Sequence, residues 1–419
     1  MIRKKTLLNG LTIVAERIPF VRSITMGIWV GHGSRYESKK MNGASHFIEH
    51  MLFKGTQSRT AKEIAEQMDQ IGGQINAFTA KEYTCYYTRA LDTHFDLALD
   101  VLTDMFFNSI FAEEEIQKER SVILEEINMY EDSPEDQVHD MLQSAVWKDS
   151  LGYPILGTEE TLASFNQANL KAYMRENYYP QNTVIAVVGH FEYEELFEKL
   201  ECAFKDWPSL EVESNQAFNT VYLPEIYTKE KDIEQVHTCL GFPGIPIGKR
   251  EIYAISILNT ILGGSMSSRL FQKIREEHGL AYSVYSYTSS YQQTGIFTIY
   301  AGMNPMQTKK VIELILEELT LLKQKSISQK EINQTKEQLK SSYMMGLEST
   351  SGRMNTIGKS QLLQKRIQTP DEIIKKIDQV TKEDIDELID SIFDFSKMSV
   401  SAIGKIEDTS IKEIIQPFI

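Results

Sequence analysis

The sequence of 419 residues has few cysteines, no long apolar run and no excess of positive charge. Its three cysteines, Cys85, Cys202 and Cys239, are far apart and odd in number, so they predict no disulfide framework and indicate a reducing compartment. No apolar run has the length of a membrane helix, and residues 6–14 are too polar for the core of a signal peptide. A net charge of -15 argues against nucleic acid and anionic membranes as partners. These absences predict a cytoplasmic protein.

One stretch, residues 43–56, combines histidine and glutamate with the spacing of a helix. His46 and His50 are four apart, so their imidazoles lie on one helix face and can bind one ion. Glu49 lies beside them, where it can take a proton from water at the metal. The order His-x-x-Glu-His is the inverzincin motif and predicts the first helix of a hydrolytic zinc site. A helix with two hydrogen-bonded histidines and an exposed acid would show the same pattern, so a third ligand decides.

A later helix, predicted from Glu113 to about Tyr130, carries the candidates for that ligand. Glu119 and Glu126 are seven apart, two turns, and therefore share one face with apolar residues between them. An acid on an apolar face is costly unless it is paired or bound to a cation. A solvated face suits Glu125 better than Glu126.

These two helices together resemble peptidase family M16, which includes pitrilysin, insulin-degrading enzyme and the mitochondrial processing peptidase. The resemblance rests on His46-x-x-Glu49-His50 and on Glu-Arg-x-Val-Ile-x-Glu-Glu-Ile at residues 119–127. It implies that Glu126 is the third ligand of one zinc ion per chain. It also implies that Glu119 is a carboxylate behind the ligands, while Glu125 remains the competing choice for the ligand.

Residues 74–80 are predicted to form a strand that follows a Gly-Gly pair. Small residues suit a strand that another backbone approaches, although an ordinary edge strand explains them equally well. On the first interpretation an extended substrate binds by β-addition, which gives affinity without strict sequence choice. The candidate substrate-binding residues here are Asn76, Ala77, Phe78 and Thr79.

The second half of the chain repeats the order of the first half. Residues 235–244 resemble the strand and glycine-rich exit at 23–33, and residues 398–415 resemble the strand and helix at 183–204. Two matching halves of this size indicate gene duplication.

A polar stretch at 208–222 is the predicted linker between two domains. It separates an N-terminal zinc-binding domain, residues 1–207, from a C-terminal domain, residues 223–419, which has no histidine where the first has its motif helix. The predicted class is α+β, with two homologous domains of mixed sheet and helices. The M16 resemblance implies that these domains enclose a chamber and that half-size chains act as homodimers on peptides or unfolded polypeptides.

The second half of M16 proteins carries an arginine and, seven residues later, a tyrosine that reach the substrate at the zinc. Arg275 and Tyr282 fit that spacing. An arginine fork binds a peptide carbonyl or terminus, and a phenol hydroxyl can stabilise an oxyanion. Without the resemblance, the same residues read as surface charges at a helix-to-strand turn.

The sequence therefore predicts a zinc-dependent endopeptidase. The alternative is a non-catalytic M16-like structural or partner subunit. Such subunits lose motif residues, whereas this chain keeps all four, which are His46, Glu49, His50 and Glu126. A metal-binding regulator is disfavoured because storage and sensor sites need no general base at the position of Glu49.

Overall fold

The computed structural model describes residues 2–210 and 220–418, so most of the predicted linker, residues 211–219, lies outside the described residues. The strands are β1 Ile2–Thr6, β2 Thr12–Arg17, β3 Ser23–Val30, β4 Gln74–Thr79, β5 Thr84–Leu91, β6 Thr183–Gly189, β7 Ile226–Glu230, β8 Val236–Pro243, β9 Ala281–Ser290, β10 Gly295–Met303 and β11 Ser399–Gly404. The helices are α1 Ala44–Leu52, α2 Ala61–Gln70, α3 Phe95–Asn108, α4 Glu113–Asp132, α5 Pro134–Val146, α6 Glu159–Ala163, α7 Gln167–Asn177, α8 Tyr193–Phe204, α9 Ile252–Leu262, α10 Thr308–Gln324, α11 Gln329–Gly346, α12 Thr350–Gln364, α13 Pro370–Gln379, α14 Lys382–Ile392 and α15 Asp408–Ile415. Within these described ranges, no helix is both long and apolar enough to cross a membrane.

The strands form two sheets with one shared topology. The first sheet has the order β1-β2-β6-β3-β5-β4, and the second has the order β7-β11-β8-β10-β9. From β2 onward the strands correspond one to one, and in each sheet the pair β2–β6 or β7–β11 is parallel while the following pairs are antiparallel. The predicted α+β class and the duplication are confirmed.

The chain divides into two compact units that do not coincide with its two successive halves. The first unit consists of Met1–Ile127, Tyr153–Ala217 and Met345–Ile367, and the second consists of Asn128–Gly152, Phe218–Met344 and Gln368–Ile419. Helix α5 from the first half thus belongs to the second unit, and α12 from the second half belongs to the first. The predicted boundaries, 1–207 and 223–419, follow the order of the chain and do not capture this exchange of helices.

Both faces of the first sheet are covered by helices. One face packs against α1, α3, α7 and α8 in a core that includes Phe47 and Ile185. On the other face, Met354 and Ile357 of α12 pack against Trp29 of β3. The indole Nε1 of Trp29 donates a hydrogen bond to Met354 Sδ at 3.2 Å. A sheet buried on both sides gives the metal helix α1 a rigid base.

The second unit repeats this arrangement with its own sheet. Val138 and Leu142 of α5 pack against Cys239 and Ile403 on one face. The opposite face packs against α9, α10 and α14 in a separate apolar core. Because α5 and α12 occupy equivalent places on equivalent strands, each unit is completed by a helix from the other half of the chain.

Candidate metal centre

The helix α1 holds the predicted motif against the core of the first unit. Its residues Phe47, Ile48 and Met51 are fully buried, which is the apolar face that the sequence periodicity predicted. The opposite side of the helix carries the three motif residues His46, Glu49 and His50. His46 is 8% exposed.

Two imidazoles and one carboxylate converge beside α1. The Nε2 atoms of His46 and His50 each lie 3.8 Å from Oε2 of Glu126, which α4 supplies. The two rings are 4.6 Å apart between centroids. Across residues 2–210 and 220–418, these three residues are the one group of His, Cys, Asp or Glu side chains whose ligand atoms could hold a single metal ion. Glu125, the competing choice, is exposed and is not part of the group.

A buried carboxylate stands behind the second histidine. Glu119 Oε2 lies 3.0 Å from His50 Nδ1, and Glu119 Oε1 lies 2.5 Å from Lys54 Nζ. Burial alone would raise the pKa of Glu119, but the hydrogen bonds from His50 and Lys54 outweigh it and lower the pKa. An ionised Glu119 accepts a hydrogen bond from the Nδ1–H group of His50, which leaves the Nε2 lone pair free for an ion.

His46 is a neutral imidazole. Burial, with a smaller contribution from electrostatic repulsion between the two imidazoles when both are protonated, lowers the pKa of His46 to about 3. Its Nδ1 atom is buried and has no hydrogen-bond partner in the described part of the chain. Two neutral ring nitrogens and one carboxylate oxygen are a donor set that zinc accepts, so the residues present fit that ion.

Glu49 lies next to this group but does not belong to it. Its Oε2 accepts a hydrogen bond of 2.6 Å from Thr79 Oγ1 at the end of β4. Burial raises the pKa of Glu49 and Glu126 raises it further, while the Thr79 hydrogen bond and the electrostatic effect of the nearby His50 imidazole partly oppose this rise. A fixed carboxylate with a raised pKa suits a general base that must also return its proton.

The predicted substrate-binding strand is an edge of the first sheet. Among the described residues, strand β4 pairs with β5 alone, and it also contacts α1. Ala77 packs towards the core that contains α1, whereas Phe78 contacts Trp29 on the opposite face, with 5.6 Å between ring centroids. The backbone N–H of Ala77 donates a hydrogen bond to Asn76 Oδ1 at 2.8 Å. At the edge of a sheet, such an N–H group is available to pair with an added strand. The predicted residues therefore lie on different faces of β4. Ala77 and Thr79 lie on the side of α1, and Phe78 lies on the opposite side.

Arg275 and Tyr282 lie together in the second unit. Arg275 belongs to a π-helix, Phe271–Glu277, that precedes β9. Its guanidinium carbon lies 4.8 Å from the ring centroid of Phe271 and 4.8 Å from that of Tyr282. The guanidinium is thus held between two aromatic rings, and Tyr282 is 77% exposed.

Two of these contacts were missed in the sequence. Lys54 lies two residues beyond the end of α1, so helical spacing could not have indicated its place beside Glu119. Phe271 precedes Arg275 by four residues, but nothing in the sequence indicates a π-helix or the stacked arrangement.

The duplicated fold and the His-His-Glu group define a two-domain α+β protein with a candidate metal centre in its first unit. Comparison with known families agrees with this class. The profile of insulinase, peptidase family M16, matches residues 12–159, and the profile of the peptidase M16 inactive domain matches residues 164–339.

Curated relatives and solved structures extend the match to nearly the whole chain. The "Uncharacterized zinc protease YmxG" of Bacillus subtilis is 48% identical over 413 residues, 97% of this chain and 100% of the relative. An "Uncharacterized zinc protease" of Rickettsia felis is 39% identical over 402 residues, 94% of this chain and 95% of the relative. A protease from Helicobacter pylori shares the fold, with a TM-score of 0.88, 22% identity, and coverage of 96% of this chain and 99% of that chain. The chain belongs to peptidase family M16.

Proposed function

We propose that this chain is a zinc-dependent endopeptidase that cleaves peptides or unfolded segments. The observation that carries the proposal is the convergence of His46 Nε2 and His50 Nε2 on one oxygen of Glu126, at 3.8 Å each, with Glu49 on the same helix. The names of the relatives, which are zinc proteases, support both the metal and the reaction.

In this proposal the side chains of the centre have separate roles in metal binding and proton transfer. His46, His50 and Glu126 would hold a zinc ion, which would supply Lewis acidity to lower the pKa of a water molecule towards about 7 and to polarise a peptide carbonyl. Glu49 accepts a proton on its carboxylate as the water attacks the carbonyl, and it returns that proton to the leaving amine. The Thr79 hydrogen bond keeps the carboxylate of Glu49 in one orientation during both transfers.

Substrate binding in this proposal uses a sheet edge and two donors. An extended peptide adds to the free edge of β4, where the side chains of Ala77 and Thr79 lie on the face of α1. Arg275 binds a substrate carbonyl or terminus, and the exposed hydroxyl of Tyr282 stabilises the developing oxyanion. The two aromatic rings, each with its centroid 4.8 Å from the guanidinium carbon of Arg275, support this role because they hold the guanidinium beside Tyr282.

The assembly is part of the same proposal. By its resemblance to half-size M16 proteins, the chain forms a homodimer whose domains enclose a chamber, with one zinc ion bound per chain. A chamber admits unfolded segments and excludes folded proteins. Sizing chromatography with light scattering tests the dimer, and cleavage of one protein in its folded and unfolded states tests the size limit.

The variant Glu49→Gln tests the proposed function. We expect zinc content to stay near one ion per chain while cleavage of a quenched fluorescent peptide falls roughly 10²–10⁴-fold, the usual contribution of a general base. Glu125→Gln is the matched control because this exposed glutamate lies outside the group, and it should cleave at the unmodified rate. Full activity of Glu49→Gln, or loss of its zinc, would contradict the assignment. Zinc-loaded unmodified protein that cleaves no peptide would identify a non-catalytic subunit.

A further inference from the structure

A buried carboxylate stands at the start of the metal helix. Glu37 is 4% exposed and lies just before α1. It accepts hydrogen bonds from the backbone N–H of Gly43 at 2.7 Å and of Ser45 at 2.8 Å, and from Asn42 Nδ2 at 3.0 Å. A carboxylate from outside the helix therefore takes the place of the N-cap side chain, which Gly43 cannot supply.

A chain of buried hydroxyls leads away from this carboxylate. The hydroxyl of Ser45 also bonds Glu37 and lies 3.1 Å from Tyr173 Oη, which in turn lies 2.7 Å from His32 Nε2. An ionised carboxylate can only accept, so Ser45 donates to Glu37, and Tyr173 is free to donate to Ser45. His32 stays neutral because burial lowers its pKa to about 3. Burial raises the pKa of the Glu37 carboxyl, and the hydrogen bonds from Ser45, Gly43 and Asn42 oppose that shift. Because these groups all donate to the oxygens of Glu37, they favour its ionised form, and Glu37 is the one charged group of the network.

The loop that carries Glu37 is fixed on its other side as well. The backbone N–H groups of Ser34 and Arg35 donate to the carbonyls of Ala80 and Lys81, at 3.3 and 2.8 Å. These acceptors follow β4 directly, one and two residues after Thr79. The loop therefore connects the start of α1 to the end of β4, where Thr79 donates its hydrogen bond to Glu49.

The position of this charge matters for a cation at the metal centre. His46 is the third residue of α1 and lies in its first turn, at the positive end of the helix dipole. That end opposes the binding of a dication to His46. A carboxylate on the first N–H groups of the helix offsets this opposition, and burial keeps solvent from screening it.

We infer that Glu37 is a positioning residue for the metal centre, which holds the first turn of α1 and whose negative charge raises the affinity of His46 and His50 for zinc. The inference rests on the proposed zinc site. It assigns a function to a residue that contacts neither the metal nor the substrate.

The test is the dissociation constant of zinc, measured by competition with a chelator, for the full chain and three variants. Glu37→Gln keeps the size and removes the charge, and we expect its dissociation constant to rise roughly threefold to thirtyfold. Glu37→Asp keeps the charge on a shorter side chain and should stay within about twofold of the unmodified protein. Tyr173→Phe removes an uncharged link of the network and is the matched control, with unchanged zinc affinity expected. Circular dichroism of the metal-free proteins checks that each variant is folded.

The outcomes separate this inference from the proposed function. If the unmodified protein binds no zinc, the proposed function fails. If it binds zinc and folded Glu37→Gln binds equally well, the role of Glu37 is wrong. If Glu37→Asp loses as much affinity as Glu37→Gln, the effect comes from hydrogen-bond geometry alone and the role of the charge is overturned. If Glu37→Gln does not fold, Glu37→Asp decides the question, because weakening of more than tenfold in that variant contradicts the inference.

Discussion

At the scale of single residues, the identity of the third metal ligand, Glu126 or Glu125, can be decided by substitution. Glu126 faces both histidines, whereas Glu125 is exposed on the neighbouring side of the same helix. Glu126→Gln should therefore lose zinc, because removal of one of three ligands leaves two neutral nitrogens. Glu125→Gln should retain it. Metal analysis of both purified variants decides the matter, and a reversed result would move the ligand to Glu125.

A second residue-scale prediction concerns stability in acid. The buried carboxylate of Asp104 accepts four hydrogen bonds of 2.6 to 2.9 Å. The donors are Thr56, Ser58, Arg59 and Asn108. Burial alone would raise the pKa of Asp104, but these bonds lower it to about 2. Because the pKa in the folded state lies below that of the unfolded chain, the stabilisation is complete above about pH 4 and is lost as the pH falls to about 2.

The variant Asp104→Asn measures that contribution. We expect it to lower the free energy of unfolding by about 2 kcal/mol at pH 6 and by much less near pH 2, where about half of the Asp104 carboxyls are protonated in the folded unmodified protein. Asp100→Asn, which removes an exposed partner of Arg59 on the same helix, should change stability little. Urea unfolding at both pH values provides the comparison, and an equal loss at the two values would refute the assignment.

At the scale of elements, β4 should bind substrate through its free edge. The backbone N–H of Ala77 bonds the side chain of Asn76, so Ala77→Pro removes a donor from the open edge while the ladder to β5 keeps its own bonds. We expect KM for a peptide to rise roughly twofold to tenfold, the worth of one hydrogen bond. Asn76→Ala removes the competing acceptor and should lower KM or leave it unchanged. Peptide kinetics test both, and an unchanged KM in Ala77→Pro would exclude β-addition at this residue.

Elements that depend on local patterns were predictable from the sequence. The apolar period of residues 43–56 indicated α1, which spans Ala44–Leu52 and ends four residues before that stretch does. The spacing of Thr60 and Glu63 is typical of a capping box, and the structure has one at the start of α2. Glu37 was not predictable, because its hydrogen bonds to Gly43 and Ser45 require a loop to fold back onto a helix end. No periodicity records such a contact.

At the scale of the whole molecule, the close packing of α12 against the first sheet can be tested by a substitution at one glycine, Gly358. A Cβ on Gly358 would lie 2.3 Å from Trp29 Nε1, and Trp29 is 1% exposed and cannot move aside. Gly358→Ala should therefore destabilise the protein by about 1–3 kcal/mol, despite the higher helix propensity of alanine. Gly346→Ala is the matched control, since an added Cβ there meets nothing within 4 Å. Thermal unfolding followed by tryptophan fluorescence measures both, and equal stability of the two variants would contradict the close packing.

The exchange of α5 and α12 marks the limit of what the sequence predicted about the fold. The repeat of strands and helices revealed the duplication, and the strand orders confirm it. Apolar residues such as Met354 and Ile357 indicate that α12 buries one face, but helical periodicity does not say which of two similar sheets receives that face. The domain boundaries drawn from the sequence therefore followed the chain, whereas the packing crosses it.

That exchange also sets the order in which the protein can be completed during synthesis. The first sheet is fully synthesised at Gly189, but the helix that covers Trp29 begins only at Thr350. At ribosomal rates of roughly 5–20 residues per second, the nascent chain carries this uncovered apolar face for on the order of ten seconds. A chaperone that binds exposed apolar strands has that interval in which to act. The unit that carries His46, His50 and Glu126 therefore reaches its final packing only late in translation.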